Sequence, residues 1–219
     1  MAYKVLNNVS VKDVTSSDLL SLKTDLLVIV INKNTKDKVV NQLAKDVSSH
    51  LKESGSSVLV PNAKSFNAKN VLLVKGFQDS DQIHKLISMY QSIAQKGNQL
   101  KAKDISIMPG TVYPKGKCEM WLIEMVAKTI ESNVYIFSET CNKTAKKPSV
   151  KKLNILVSSL TKSDLIKAKN AAKKGYAIGE GVNSAKYLGD LPANHCTPRI
   201  IEKKVKAMTK DFPKLKVKS

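Results

Sequence analysis

The residues of this chain best suited by type to metal or nucleophilic chemistry are His50, His84 and His195 with Cys118, Cys141 and Cys196. A metal centre needs such side chains clustered, and neither a His-Glu-x-x-His nor a paired Cys-x-x-Cys spacing is present. His50 lies beside a helical apolar stripe and His84 on a helix flank, where imidazoles are usually solvated or satisfied. His195 and Cys196 pair a base with a nucleophile. However, neighbours in a capping turn point apart, and no third group is placed to orient them. Gly179-x-Gly181 begins like a dinucleotide-binding loop, but it lacks the third glycine and falls inside a helical pattern. There is no Gly-x-Ser-x-Gly elbow and no phosphate-binding P-loop, and the carboxylates are dispersed. No residue is therefore assigned a catalytic, cofactor-binding or metal-binding role.

One run nonetheless stands out, AKYLGDLPANHCTP from Ala185 to Pro198. Leu191 to Asn194 read as a turn, Thr197 is an apt N-cap, and Pro198 an apt first helical residue. Ile201, Val205, Met208 and Phe212 then mark one face of a helix closed by Asp211-Phe212-Pro213, and Leu215 to Val217 has the look of an opening strand. Ahead of the run, Ser163 can cap a long helix to about Tyr187 with a small-residue surface (Ala168, Ala171, Ala172, Ala177, Val182, Ala185). Gly175, Gly179 and Gly181 would each weaken that helix in isolation by about 1 kcal/mol relative to Ala. Tertiary packing must hold it, or it bends near Gly179.

The elements upstream alternate short apolar runs with amphipathic stretches. Strands are expected at Val5–Val9, Leu26–Ile31, Ser57–Val60, Val71–Val74, Ile105–Met108, Val134–Phe137 and Leu153–Val157, with LLVIVI buried on both faces. Helices are expected at 37–54, with Val40, Leu43, Ala44, Val47 and Leu51 inward and Gly55 as the stop. Two more are expected at 80–96, capped by Asp79 with Gln82, and at 117–132. Ser138 to Lys152 is polar, basic and interrupted by Pro148, an exposed loop for which a long hairpin connection is one use. The alternation indicates an α/β fold with a mostly parallel or mixed sheet.

Composition narrows the class. Hydrophobic residues make up 42% and charged residues 25%, as in a soluble globular protein large enough to bury an aliphatic core without disulfides. No apolar run is long enough to span a bilayer, and the first residues read as a strand and not a signal peptide. Three widely spaced cysteines suit free thiols in a reducing cytoplasm. The net charge of +19 is concentrated late: residues 141–219 hold 19 basic and 5 acidic side chains. Such a field attracts phosphate, but Arg199 is the only arginine, and lysines scattered on helices usually form a solvated face.

The stretch from Gly181 to Met208 resembles the leucyl aminopeptidase family, the cytosolic di-metal aminopeptidases. Ala185, Lys186 and Leu188 match its Ala-Arg/Lys-Asp-Leu element. Pro192 and Asn194 match an Asn-x-Pro-x-Asn segment, and Thr197 with Pro198 a Thr-Pro-capped helix. Tyr187 stands where the family usually has Asp, and Asp190 where it usually has Asn. The resemblance implies a macro-domain-like mixed sheet flanked by helices over 1–160. Over 161–219 it implies a linker helix and the first elements of a second, truncated α/β catalytic domain. It also implies an intact parent that releases N-terminal residues such as Leu from peptides. That parent uses two divalent ions, Mn or Zn, and assembles as a homohexamer. The family's metal ligands and its carbonyl-polarising Lys and Arg would fall beyond Ser219, so this chain is expected to bind no metal and to be inactive. Two alternatives stand beside this: a basic nucleic-acid-binding module, since some bacterial members of the family bind DNA, and a non-catalytic assembly subunit. No membrane partner is expected.

Overall fold

The computed structural model of the chain describes residues 4–32, 51–77, 83–110, 113–140, 147–158 and 160–218. Its frame is a six-stranded sheet in the order β1-β6-β5-β2-β4-β3. The strands are β1 (Asn8–Asp13), β2 (Thr24–Ile31), β3 (Ser57–Pro61), β4 (Ala68–Lys75), β5 (Asp104–Met108) and β6 (Lys152–Val157). Every pairing is parallel except β3 on β4. The sheet is thus mixed, with the antiparallel strand at one edge.

β2 holds the centre because its side chains suit burial on both faces. Alternate residues Leu26, Val28 and Val30 enter one core with Leu72, Ile105, Ile107 and Ile155. Leu27 and Ile29 enter the other with Leu19, Val71, Leu73 and Leu156. Each fully buried aliphatic side chain contributes about 2 kcal/mol of transfer free energy, so the two faces of β2 alone fix its register.

The helices are α1 (Ser16–Ser21), α2 (Ile83–Gln99), α3 (Glu119–Val134), α4 (Lys162–Asp190) and α5 (Pro198–Asp211). α2 and α3 lie against each other on the first face, and α4 lies on α3 and along β1. Tyr90 of α2 is fully buried, and its hydroxyl donates to the Pro109 carbonyl at 2.6 Å. Desolvation holds that phenol well above its ordinary pKa.

Several expectations are corrected. The first strand begins at Asn8 and not at Val5, because the Val5 and Leu6 amides donate to the Glu131 carboxylate instead of to a neighbouring strand. Val134 to Phe137 is no strand: α3 runs to Val134, and β5 already has β2 and β6 on its two sides. With that strand absent, 138–152 links a helix to β6 and is not a hairpin connection. α1 went unread, although Thr15 and Asp18 form a reciprocal capping box there. Leu215 to Lys218 pair with no strand, and Leu215 N closes a turn on the Phe212 carbonyl at 2.9 Å. Residues 51–54 are not helical; they enter a turn at Gly55, whose φ is +86°. The rest of the helix expected at 37–54, up to His50, lies outside the described residues, as do Asp79, Gln82 and Cys141.

Candidate functional site

The run singled out in the sequence ends α4, and the way α4 is held decides where that run sits. Thr161 starts the helix, two residues before the expected Ser163. Its hydroxyl accepts from Asp164 N at 3.1 Å and donates to the Asp164 carboxylate at 2.7 Å. That bond and the neighbouring Lys167 ammonium hold the Asp164 carboxyl below its usual range.

Two of the glycines are contact points. A Cβ on Gly175 would stand 2.0 Å from the Glu124 carbonyl oxygen, and one on Gly179 2.8 Å from Glu131 Cβ. α3 and α4 therefore meet backbone to backbone, which only glycine permits. Gly181 faces open space. Gly179-x-Gly181 is thus one packing glycine and one free one within an unbroken helix, with no phosphate loop.

At the carboxyl end of α4 the two positions that depart from the family pattern each find a partner. Asp190 accepts from the Tyr135 hydroxyl at 2.9 Å. Tyr187 faces Phe137 with ring centroids 6.3 Å apart, and Lys204 Nζ of α5 lies 4.5 Å above its ring. Lys186, a matching position, donates to the Ser132 carbonyl at 2.6 Å near the end of α3, where the helix dipole favours a cation. In the turn that follows, His195 N and Cys196 N both donate to the Pro192 carbonyl, at 2.8 and 3.0 Å. Thr197 has extended N-cap backbone and Pro198 occupies the first turn, but the Thr197 side chain makes no capping bond. The run shapes a junction; it assembles no reacting groups.

Among the described residues no three His, Cys, Asp or Glu side chains converge to hold a metal ion. His84 and His195 are exposed, Cys118 is exposed and Cys196 half-buried.

The sequence reading missed a cleft of about 470 Å³ at the amino edge of the sheet, lined by Lys23, Asp25, Lys64, Lys69 and Asp104 among others. Lys69 Nζ lies 2.6 Å from Asp25 Oδ1, and Lys103 N donates to Asp25 Oδ2 at 2.8 Å. The Lys69 ammonium lowers the Asp25 pKa. Its stabilising effect is present above the ordinary Asp value and lost as pH falls through the lowered one. Lys69 is 73% exposed, so that effect is small.

Asp104 ends a polar row through the sheet. Ser10 donates to Asn154, Asn154 to Ser106, Ser106 to Thr24 and Thr24 to Asp104. Every donor points the same way, which satisfies the buried hydroxyls and fixes strand register. The one hydroxyl set against a carboxylate, Thr24 on Asp104, is itself buried and also accepts from Ser106. The row's sequence signal was a polar residue in each of four neighbouring strands, β1, β6, β5 and β2.

Fold and site together define an α/β domain with a mixed sheet and a long glycine-seated helix, with no reacting groups brought together among the described residues. No family model matches the chain. It is 26% identical over 212 residues to the cytosol aminopeptidase of Pseudomonas aeruginosa, covering 90% of this chain and 42% of that one. It is 28% identical over 218 residues to the "Probable cytosol aminopeptidase" of Azotobacter vinelandii, covering 93% of this chain and 43% of that one. Among solved structures, a mutant leucine aminopeptidase of tomato superposes with a TM-score of 0.71 at 19% identity, covering 97% of this chain and 44% of that one. A bottromycin maturation enzyme superposes with a TM-score of 0.62 at 15% identity, covering 87% of this chain and 38% of that one. The likeness to cytosol aminopeptidases over most of the chain and the shared fold with a leucine aminopeptidase support a relationship to the N-terminal domain of that family. The chain spans less than half the length of these relatives.

Proposed function

We propose that this chain is the N-terminal portion of a cytoplasmic metallo-aminopeptidase that releases N-terminal residues such as leucine from peptides. By itself the chain is inactive. The observation that carries this reading is the asymmetry of the match: nearly all of this chain aligns with well under half of each cytosol aminopeptidase. The boundary between the sheet domain and the linker helix is placed at 160/161, where β6 gives way to the Thr161 cap. The described residues do not fit the pair of Mn or Zn ions of such an enzyme, since they bring no ligand set together. Peptide binding, metal binding and hexamer assembly are accordingly assigned to the intact parent. Among the described residues no helix is long and apolar enough to cross a membrane. Purified chain supplied with Mn or Zn should leave leucine-p-nitroanilide uncut, and hydrolysis at an enzyme-like rate would overturn the reading.

One observation favours a second role for the same domain. The excess positive charge lies in residues 141–219, and Lys162, Lys167, Lys169, Lys173 and Lys174 stand exposed along α4. Electrostatic binding of DNA through this face would weaken steeply with salt, by orders of magnitude between about 50 and 200 mM. Filter binding across that range should show this slope, and weak salt-independent binding would remove the role.

A further inference from the structure

The cleft at the amino edge of the sheet has no part in the proposed function. Its volume of about 470 Å³ lies within the range of roughly 300–1,000 Å³ usual for small-molecule sites. Part of its lining is apolar: Ala63, Phe66 and Ala68 all contribute, and all three are buried. The rest carries charges of both signs. Asp25 and Asp104 stand at the starts of β2 and β5, while Lys23 precedes β2 and Lys64 lies in the turn between β3 and β4.

The two carboxylates are unequally occupied. Asp25 takes Lys69 Nζ at 2.6 Å on Oδ1 and Lys103 N at 2.8 Å on Oδ2. Asp104 takes the Thr24 hydroxyl on Oδ2, but Oδ1 receives only the Asp25 amide, at 3.4 Å, a long and weak bond. The polar row behind Thr24 fixes where that carboxylate stands. Lys23 and Lys64, by contrast, have neither an ion-pair nor a hydrogen-bond partner among the described residues. One carboxylate oxygen and two ammonium groups are thus left for a ligand. A plain anion would set its charge beside two carboxylates, and a plain cation would meet the ammonium groups of Lys23, Lys64 and Lys69. A molecule carrying both signs avoids either repulsion.

We propose that this cleft binds a small zwitterion, a free amino acid or short peptide. Its ammonium group is taken by Asp104 Oδ1, its carboxylate by Lys23 and Lys64, and its apolar part rests against Phe66 and Ala68. No bond is made or broken; the cleft holds its ligand and does not react with it. The inference stands on the cleft alone and not on the aminopeptidase reading, so either can fail without the other. Both lysines are exposed, so each charge contact is screened and weak by itself. Selectivity comes from requiring both ends of the ligand at once.

The test is an NMR titration of the isotope-labelled full chain with leucine and with leucylglycine, beside N-acetylleucine, leucinamide and inorganic phosphate. Leucine or leucylglycine should shift the amides of residues 23–25, 62–69 and 104 saturably. The tighter of the two tells a free amino acid from a peptide end. N-acetylleucine and leucinamide, each lacking one charge, should bind about three- to fivefold more weakly than leucine. Lys64→Ala, at an exposed position that keeps the fold, should weaken leucine by a similar factor and leave leucinamide unchanged. Asp104→Asn should weaken leucine and leave N-acetylleucine unchanged. The proposal is overturned if neither zwitterion gives saturable shifts in the cleft. It is overturned equally if phosphate or N-acetylleucine binds as tightly as leucine, which marks a simple anion site, or if leucinamide does, which marks a cation site.

Discussion

Gly175→Ala should lower the stability of the chain by about 2 kcal/mol or more, and Gly181→Ala, six residues on, should raise it by up to about 1 kcal/mol. On an exposed helix both changes would be favourable, since alanine is the better helix former. Position 175 reverses the sign. Its new methyl would sit 2.0 Å from the Glu124 carbonyl oxygen, a backbone atom that cannot swing aside as a side-chain end could. Relief requires α4 to lift off α3, which reopens the packing of Ala168 and Ala172, both buried in the same core. At Gly181 nothing lies within 4 Å, so only the propensity gain remains. Urea midpoints of the two variants should therefore fall on opposite sides of the unsubstituted chain. Midpoints moving together would mean that α4 is not seated on α3 as described.

That contrast marks what could be read in the sequence. Three glycines in one helical pattern showed that tertiary contact must hold α4, but not which of them touch, since that depends on the face α3 presents. β2, β4, β5 and β6 were legible from their apolar runs because strands buried in a sheet leave no other use for such runs. Val134 to Phe137 has the same look and misled, because pattern cannot say that both sides of β5 are occupied. The start of β1 was misplaced for a related reason: Val5 and Leu6 are as apolar as a strand, yet their amides go to a carboxylate 126 and 125 residues away. The Thr15–Asp18 box was in plain view and was passed over because the helix it starts is short. The Ala185–Pro198 run carried the family resemblance, while its two departures, Tyr187 and Asp190, turned out to be met by Phe137, Lys204 and Tyr135. These partners come from the end of α3 and from α5, and no local spacing joins them. The cleft beside Asp25 and Asp104 was invisible because its lining comes from separated strand starts and the turn between β3 and β4.

Glu131→Ala should cost about 3 kcal/mol near pH 6, most of it from donors left behind and not from the charge removed. A buried ion pair can often be replaced by apolar groups at little loss when both partners are replaced. Here the partners are the Val5 and Leu6 backbone amides and the Asn183 side chain, and the two amides cannot be mutated away. Truncation therefore strands main-chain N–H groups beside Leu6, which is fully buried. The expected signature is local as well as global. Hydrogen exchange at Val5 and Leu6 should accelerate more than at β2, and the Tyr176 contact to the Leu6 carbonyl should loosen with it. The penalty should shrink as pH rises. The unsubstituted chain itself loses stability once the raised Glu131 carboxyl ionises, and the alanine variant has no such loss. Unchanged exchange at Val5 and Leu6 in a folded Glu131→Ala chain would show that the N-terminal segment is held by packing alone.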